Sequence, residues 1–161
     1  MAGMIEHHAQ AIVMAGWAPS HGAGPSVRTL AERIVNAQQD EMATAQQWLA
    51  DRRKPVPRPD TTGRSVAAHR GTHSMMMPGM LSPDQMRRLE RTRGPAFDRL
   101  FLNSMIQHHQ GAVAMVHDLF GSYGAGQDEL IFKFASDVNV DQTTEIARMQ
   151  RMLAALPPTR S

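Results

Sequence analysis

The sequence predicts an all-α protein, a four-helix bundle made from two helical hairpins, and three observations carry that reading. First, Met4-Ile5-Glu6-His7-His8-Ala9-Gln10-Ala11-Ile12-Val13-Met14 returns in the second half as Met105-Ile106-Gln107-His108-His109-Gln110-Gly111-Ala112-Val113-Ala114-Met115, so the chain is an internal duplication. Second, residues that favour strands are sparse, while Ala, Gln, Met, Leu, Arg and Glu fill the long segments. Third, 161 residues at 42% hydrophobic content can bury one core of ordinary size, which two equivalent halves would share. The expectation is a single domain over 1–161, with a first hairpin over 1–51, a Pro- and Met-rich linker with a short helix over 52–94, and a second hairpin over 95–156.

Each element follows from local signals. A helix over 2–16 carries the first motif and ends at the turn cluster Pro19, Gly22, Gly24 and Pro25. A second helix covers 26–51. Prolines 55, 57, 59 and 78, with several glycines, make 52–81 a long and partly extended connection. Ser82-Pro83-Asp84-Gln85 supplies a capping serine, a proline at the first helical position and a glutamine three residues after the cap, so a short helix runs to residue 91. Gly94-Pro95 resets the chain for a helix over 95–120, and a turn over 121–126 leads into a last helix ending before Pro157-Pro158. Gln38, Glu41, Ala45, Trp48 and Leu49 correspond to Gln142, Glu145, Met149, Met152 and Leu153. Two hairpins with short internal turns and a long crossover give a ferritin-like bundle.

Composition narrows the function. The formal charge is +2, and the clusters Arg52-Arg53-Lys54 and Arg87-Arg88 lack interleaved aromatics, which argues against a nucleic-acid partner. No apolar run approaches the ~20 residues that cross a bilayer, so no transmembrane segment is expected. Cysteine is absent, which removes disulfides, thiolate zinc sites and cysteine nucleophiles. Any soft ligand must then be methionine, and thirteen methionines is the outlying count. A thioether binds Cu(I) without forming disulfides, which suits an oxidising, extracytoplasmic compartment, periplasmic or secreted. The chain carries no signal sequence, and the first motif lacks a counterpart of residues 97–104, so a truncated N-terminus with an export signal upstream is expected. No nucleophile constellation or phosphate-binding glycine loop is present, and the protein is expected not to be an enzyme. A homo-oligomer fits this composition, and no protein partner is specified by it.

The candidate site lies in the repeated motif. Positions 101, 105, 108, 112, 115 and 119 form one helical stripe, and 102, 106, 109, 113, 116 and 120 form the next, so both histidines of the second copy sit within a broad apolar face. Met4, His7, Ala11 and Met14, beside Ile5, His8, Ile12 and Ala15, repeat this in the first copy. Candidate ligands are His7, His8, His108 and His109 with the thioethers of Met4, Met14, Met105, Met115 and Met149. Adjacent helical residues point about 100° apart, so a His-His pair does not simply chelate one ion. One histidine of each pair can aim at a metal while its neighbour binds another helix, or the four can line two sites or one shared site; the spacing does not choose. Gln38, Glu41, Gln142 and Glu145 interrupt the apolar stripes of the other two helices, where a carboxylate facing an imidazole N–H would orient it.

The linker adds His69, His73, Met75, Met76, Met77 and Met80 as a second candidate for metal capture. A di-iron bundle needs Glu-x-x-His, yet Met4 and Met105 hold the place three residues before His7 and His108, and thioether is a poor ligand for hard iron. The residues therefore favour copper as Cu(I), with Ag(I) as its soft analogue. The alternative is a helical scaffold or interaction module whose histidines are structural and bind no metal. His21 and His117 receive no role.

At these residues the chain resembles the domain-of-unknown-function 305 family. The matching pieces are Phe97-Asp98-x-x-Phe101 leading into Met105-Ile106-x-His108-His109-x-x-Ala112-Val113-x-Met115, and Gln142-x-x-Glu145-Ile146-x-x-Met149-x-x-Met152-Leu153. The first copy matches over 4–14 and 38–49, and Met77-Pro78-Gly79-Met80-Leu81-Ser82-Pro83 is similar to family members too. The resemblance implies a ferritin-like helical bundle, export from the cytoplasm, and copper or silver binding in support of copper resistance. Two departures concern the first copy: it has no counterpart of Asp98 and Phe101, and Ala45 stands where Met149 occurs in the second.

Overall fold

The computed structural model describes residues 1–62 and 77–157. Its elements are α1 (Ala2–Gly16), α2 (Pro25–Asp51), α3 (Pro83–Arg91), α4 (Gly94–Gly121) and α5 (Glu129–Ala155), with no strand among the described residues. Helix α1 packs along α2 and α4 along α5, while α1 meets α4 between the hairpins and α3 touches both. Proline in the first turn starts α2, α3 and α4 where a missing N–H costs nothing. Ser82 and Gln85 form the reciprocal capping box that the sequence suggested for α3.

Two apolar clusters fill the bundle. One contains Met14, Met105 and Met149 with Leu30, Ile34, Phe97, Phe101 and Leu102. The other contains Met4, Ile5, Met42, Leu49, Phe134 and Val138, with Met115 packed at its margin. Along α4 the histidines fall between residues of the two clusters, and on α1 His7 and His8 sit among residues of the second, so a layer of buried polar side chains interrupts an otherwise apolar core.

The hairpin turns are built differently. At the first, the Gly24 N–H donates to both oxygens of Asp98 at 3.1 Å, and Gly94 N–H donates to the His21 carbonyl at 2.8 Å. His21 is buried against Phe97, with ring centroids 5.2 Å apart, and its Nε2–H donates to the Glu90 carbonyl at 2.7 Å. Burial lowers the His21 pKa and raises that of Asp98. The Phe97-Asp98-x-x-Phe101 signature thus clamps the first turn, and His21 is a structural histidine. At the second turn, Phe120 and Phe132 touch only at a 5.5 Å ring separation and remain 42% and 54% exposed. The apolar stripe that included Phe120 therefore stops short of it. The second hairpin is fastened instead by Asp128, which caps α5 through Ile131 N–H and accepts from Trp48 Nε1–H and Arg52 of α2.

Candidate metal centre

The histidine pairs separate by the roughly 100° between neighbouring helical positions. His8 turns toward α2, its Nε2 lying 2.6 Å from Glu41 Oε2, and His109 turns toward α5, its Nε2 lying 2.6 Å from Glu145 Oε2. The His109 contact is an aligned hydrogen bond, whereas the His8 contact is close in distance but poorly directed for one. Because a carboxylate only accepts, the contact with Glu145 requires a proton on His109 Nε2. His7 and His108 turn toward each other across the α1–α4 contact, with ring centroids 3.8 Å apart and planes at 40°. Centroids of the neighbours His7 and His8 lie 6.4 Å apart, and those of His108 and His109 6.3 Å. All four imidazoles are at most 1% exposed.

Their hydrogen bonding is incomplete. Among the described residues, the buried side-chain atoms without a hydrogen-bond partner include Nδ1 of His7, His8, His108 and His109, Nε2 of His108, both amide atoms of Gln38 and Oε1 of Gln142. Such groups each cost about 1–3 kcal/mol when left unmatched, so their gathering in one layer is a feature of the site and not of the core. Burial and the neighbouring imidazoles hold His7 at a pKa of about 4, with the Pro78 hydrogen bond opposing, and push His108 well below its ordinary value. Both are neutral at pH 7, the form that offers a lone pair to a metal.

A strap from the linker closes one side. His7 Nε2 lies 3.0 Å from the Pro78 carbonyl, and Gln10 grips the next residues, its Nε2–H donating to the Leu81 carbonyl at 3.0 Å and its Oε1 accepting from Leu81 N–H at 2.7 Å. Gly79 adopts φ +77°, and a methyl group on Gly111 would fall 1.9 Å from the Pro78 oxygen, so the strap and α4 touch backbone to backbone. Met77 Sδ and Met115 Cε both lie over Gly3, one helical turn before His7.

The structure therefore brings together His7 with His108, His8 with Glu41, and His109 with Glu145, and it buries Gln38 on α2 and Gln142 on α5. It divides the thioethers, with Met14, Met105 and Met149 on one side and Met4 and Met115 on the other. No group of three or more His, Asp or Glu side chains among the described residues is arranged to hold a metal. Met77 and Met80 are half-buried in the strap, while His69, His73, Met75 and Met76 lie outside the described residues. His117 is exposed on α4.

The family described as Domain of unknown function (DUF305) matches residues 1–153. The chain belongs to the DUF305 family. Its fold is similar to a DUF305 fragment from Deinococcus radiodurans, at 28% identity and TM-score 0.76 over 96% of this chain and 93% of that one. It is also similar to a DUF305 protein from Streptomyces coelicolor, at 24% identity and TM-score 0.79 over 98% and 91%. A third similar structure is CopM in its Cu(I)-bound form, at 27% identity and TM-score 0.69 over 92% and 89%. None of the curated proteins matches the chain. Within this DUF305 protein, the strap and Gln10 are the parts of the site that motif spacing did not reveal. The signal was present in the alignment of the two copies, where Gln10 of one faces Gly111 of the other.

Proposed function

We propose that this protein binds Cu(I), and Ag(I) as its soft analogue, through the inner pair His7 and His108 together with buried thioethers, in extracytoplasmic metal sequestration, trafficking or tolerance. The observation that carries the reading is the fully buried, neutral inner pair His7 and His108, three of whose four ring nitrogens lack partners, set between clusters that hold Met14, Met105 and Met149 on one side and Met4 and Met115 on the other. Unmatched imidazoles are costly in a core of this kind and become favourable only when something accepts their lone pairs. Cu(I) is soft and accepts few ligands, so two imidazoles and one or two thioethers suffice where, among the described residues, no group of three histidines or carboxylates converges. The similar protein CopM has been solved with Cu(I), with Cu(II) and with silver, which supports the choice of metal. A cysteine-free chain fits an oxidising compartment, and no helix of the described residues is long and apolar enough to cross a membrane.

The outer histidines favour a different role. Glu41 and Glu145 already engage them, so His8 and His109 hold the hairpins together and orient the layer. Anaerobic competition titration with a Cu(I) chelator tests the proposal: wild type takes up Cu(I) tightly, and the double substitution His7→Ala, His108→Ala does not. Equal affinity in the two proteins would remove the bundle layer as the site.

A further inference from the structure

Gln10 and Gly111 occupy the same place in the two copies, each three residues after the inner histidine of its helix. They differ because one linker crosses a pseudo-twofold arrangement and cannot treat both halves alike. On α1, Gln10 holds Leu81 by both backbone groups. On α4, Gly111 leaves room for the Pro78 carbonyl and Gly79, where any side chain would collide with backbone. Between these two anchors the Pro78 oxygen is delivered to His7 Nε2. His108 has no equivalent partner at either nitrogen.

We infer that Gln10 and Gly111 are paired positioning residues that seat the strap and thereby lock His7 as the Nε2–H tautomer, making its Nδ1 the ligand atom, a constraint that the strap does not place on His108. A carbonyl oxygen can only accept, so a neutral His7 bonded to Pro78 must carry its proton on Nε2. The two halves of the duplication thus become chemically unequal at their inner histidines, and the strap is part of the site instead of a bystander. The tautomer stands without any metal; its consequence for copper rests on the function proposed above.

Two-bond proton–nitrogen correlation spectra of the imidazoles in copper-free, nitrogen-15-labelled protein read the tautomers directly. The expected wild-type result is Nε2–H at both His7 and His109. Gly111→Ala and Gln10→Ala each convert His7 to a mixture of tautomers, while His109, held by Glu145, and the far-ultraviolet helix signal stay unchanged. Gln10→Ala removes no packing beneath the strap and so guards against a folding failure in the glycine variant. The inference is overturned if wild-type His7 carries its proton on Nδ1, or if it stays Nε2–H in both variants. In the same variants Cu(I) affinity is expected to fall ~10–100-fold, the usual cost of losing a partner that orients a ligand. A changed tautomer with unchanged Cu(I) affinity would leave the strap assignment standing and count against His7 as a ligand.

Discussion

His7 and His8 are neighbours in sequence, as are His108 and His109, yet the bundle gives the members of each pair different chemistry. The outer residues, His8 and His109, face glutamates of their own hairpins at 2.6 Å. The inner residues, His7 and His108, face each other at 3.8 Å, and apart from the contact of His7 with Pro78 their nitrogens are unmatched. One step along a helix separates a histidine that faces a glutamate of its own hairpin from one whose remaining ring nitrogens lack partners. A doubled histidine on a helix is therefore two devices, and variants that mix an inner with an outer residue confuse them.

Copper binding should show the largest contrast. Removing both inner imidazoles is expected to lower Cu(I) affinity beyond the ~10–100-fold that loss of an orienting partner costs, whereas Glu145→Gln should stay within that range. Competition titration against a chelator of known affinity ranks the two, and the reverse order would exchange their roles.

Acid stability comes next in size. His7 has a folded-state pKa of about 4, below the ordinary 6.5, so between these values the unfolded chain binds a proton that the folded protein refuses. Stability should fall as pH drops from 6.5 toward 4, by on the order of 3 kcal/mol from His7, and flatten below that window. The direction of the His108 shift adds to the loss. Urea denaturation of copper-free protein across that range measures it, and His7→Leu should flatten the profile.

Leucine substitutions separate the pairs by sign. His108→Leu removes unmatched polar atoms from a fully buried position and is expected to stabilise the copper-free protein by about 1–3 kcal/mol while weakening copper binding. His109→Leu strips Glu145 of its partner and should destabilise by a similar amount. Thermal melts resolve such changes, at roughly 2–4 °C per kcal/mol for a chain of this size. A purely structural set of histidines would give losses in both variants. The smallest effect belongs to Glu145→Gln, whose amide oxygen still accepts from His109 and should cost stability only about 1 kcal/mol.

Much of this was legible in the chain. The duplicated Met-x-x-His-His motif, the turn glycines and prolines, and the Ser82–Gln85 capping box set the five helices almost to the residue, because each is a local signal with its own physical cause. The partnership of His8 with Glu41 and of His109 with Glu145 was also within reach, since all four interrupt apolar stripes. Which histidine of each pair turned inward was not, because that depends on the rotation of whole helices about their axes. The strap was hidden for a related reason: a carbonyl carries no sequence label, and Pro78 is brought to His7 across 71 positions by Gln10 and Gly111. The exposure of Phe120 escaped because periodicity assigns a face without saying whether a neighbour covers it.

X-ray absorption at the copper edge, taken on protein loaded with one equivalent of Cu(I), tests the central claim most directly. Mixed nitrogen and sulfur scattering is expected, with the imidazole contribution lost in the His7→Ala, His108→Ala variant. A sulfur-only spectrum, the same in both proteins, would contradict it and place the ion on methionines away from the histidine layer.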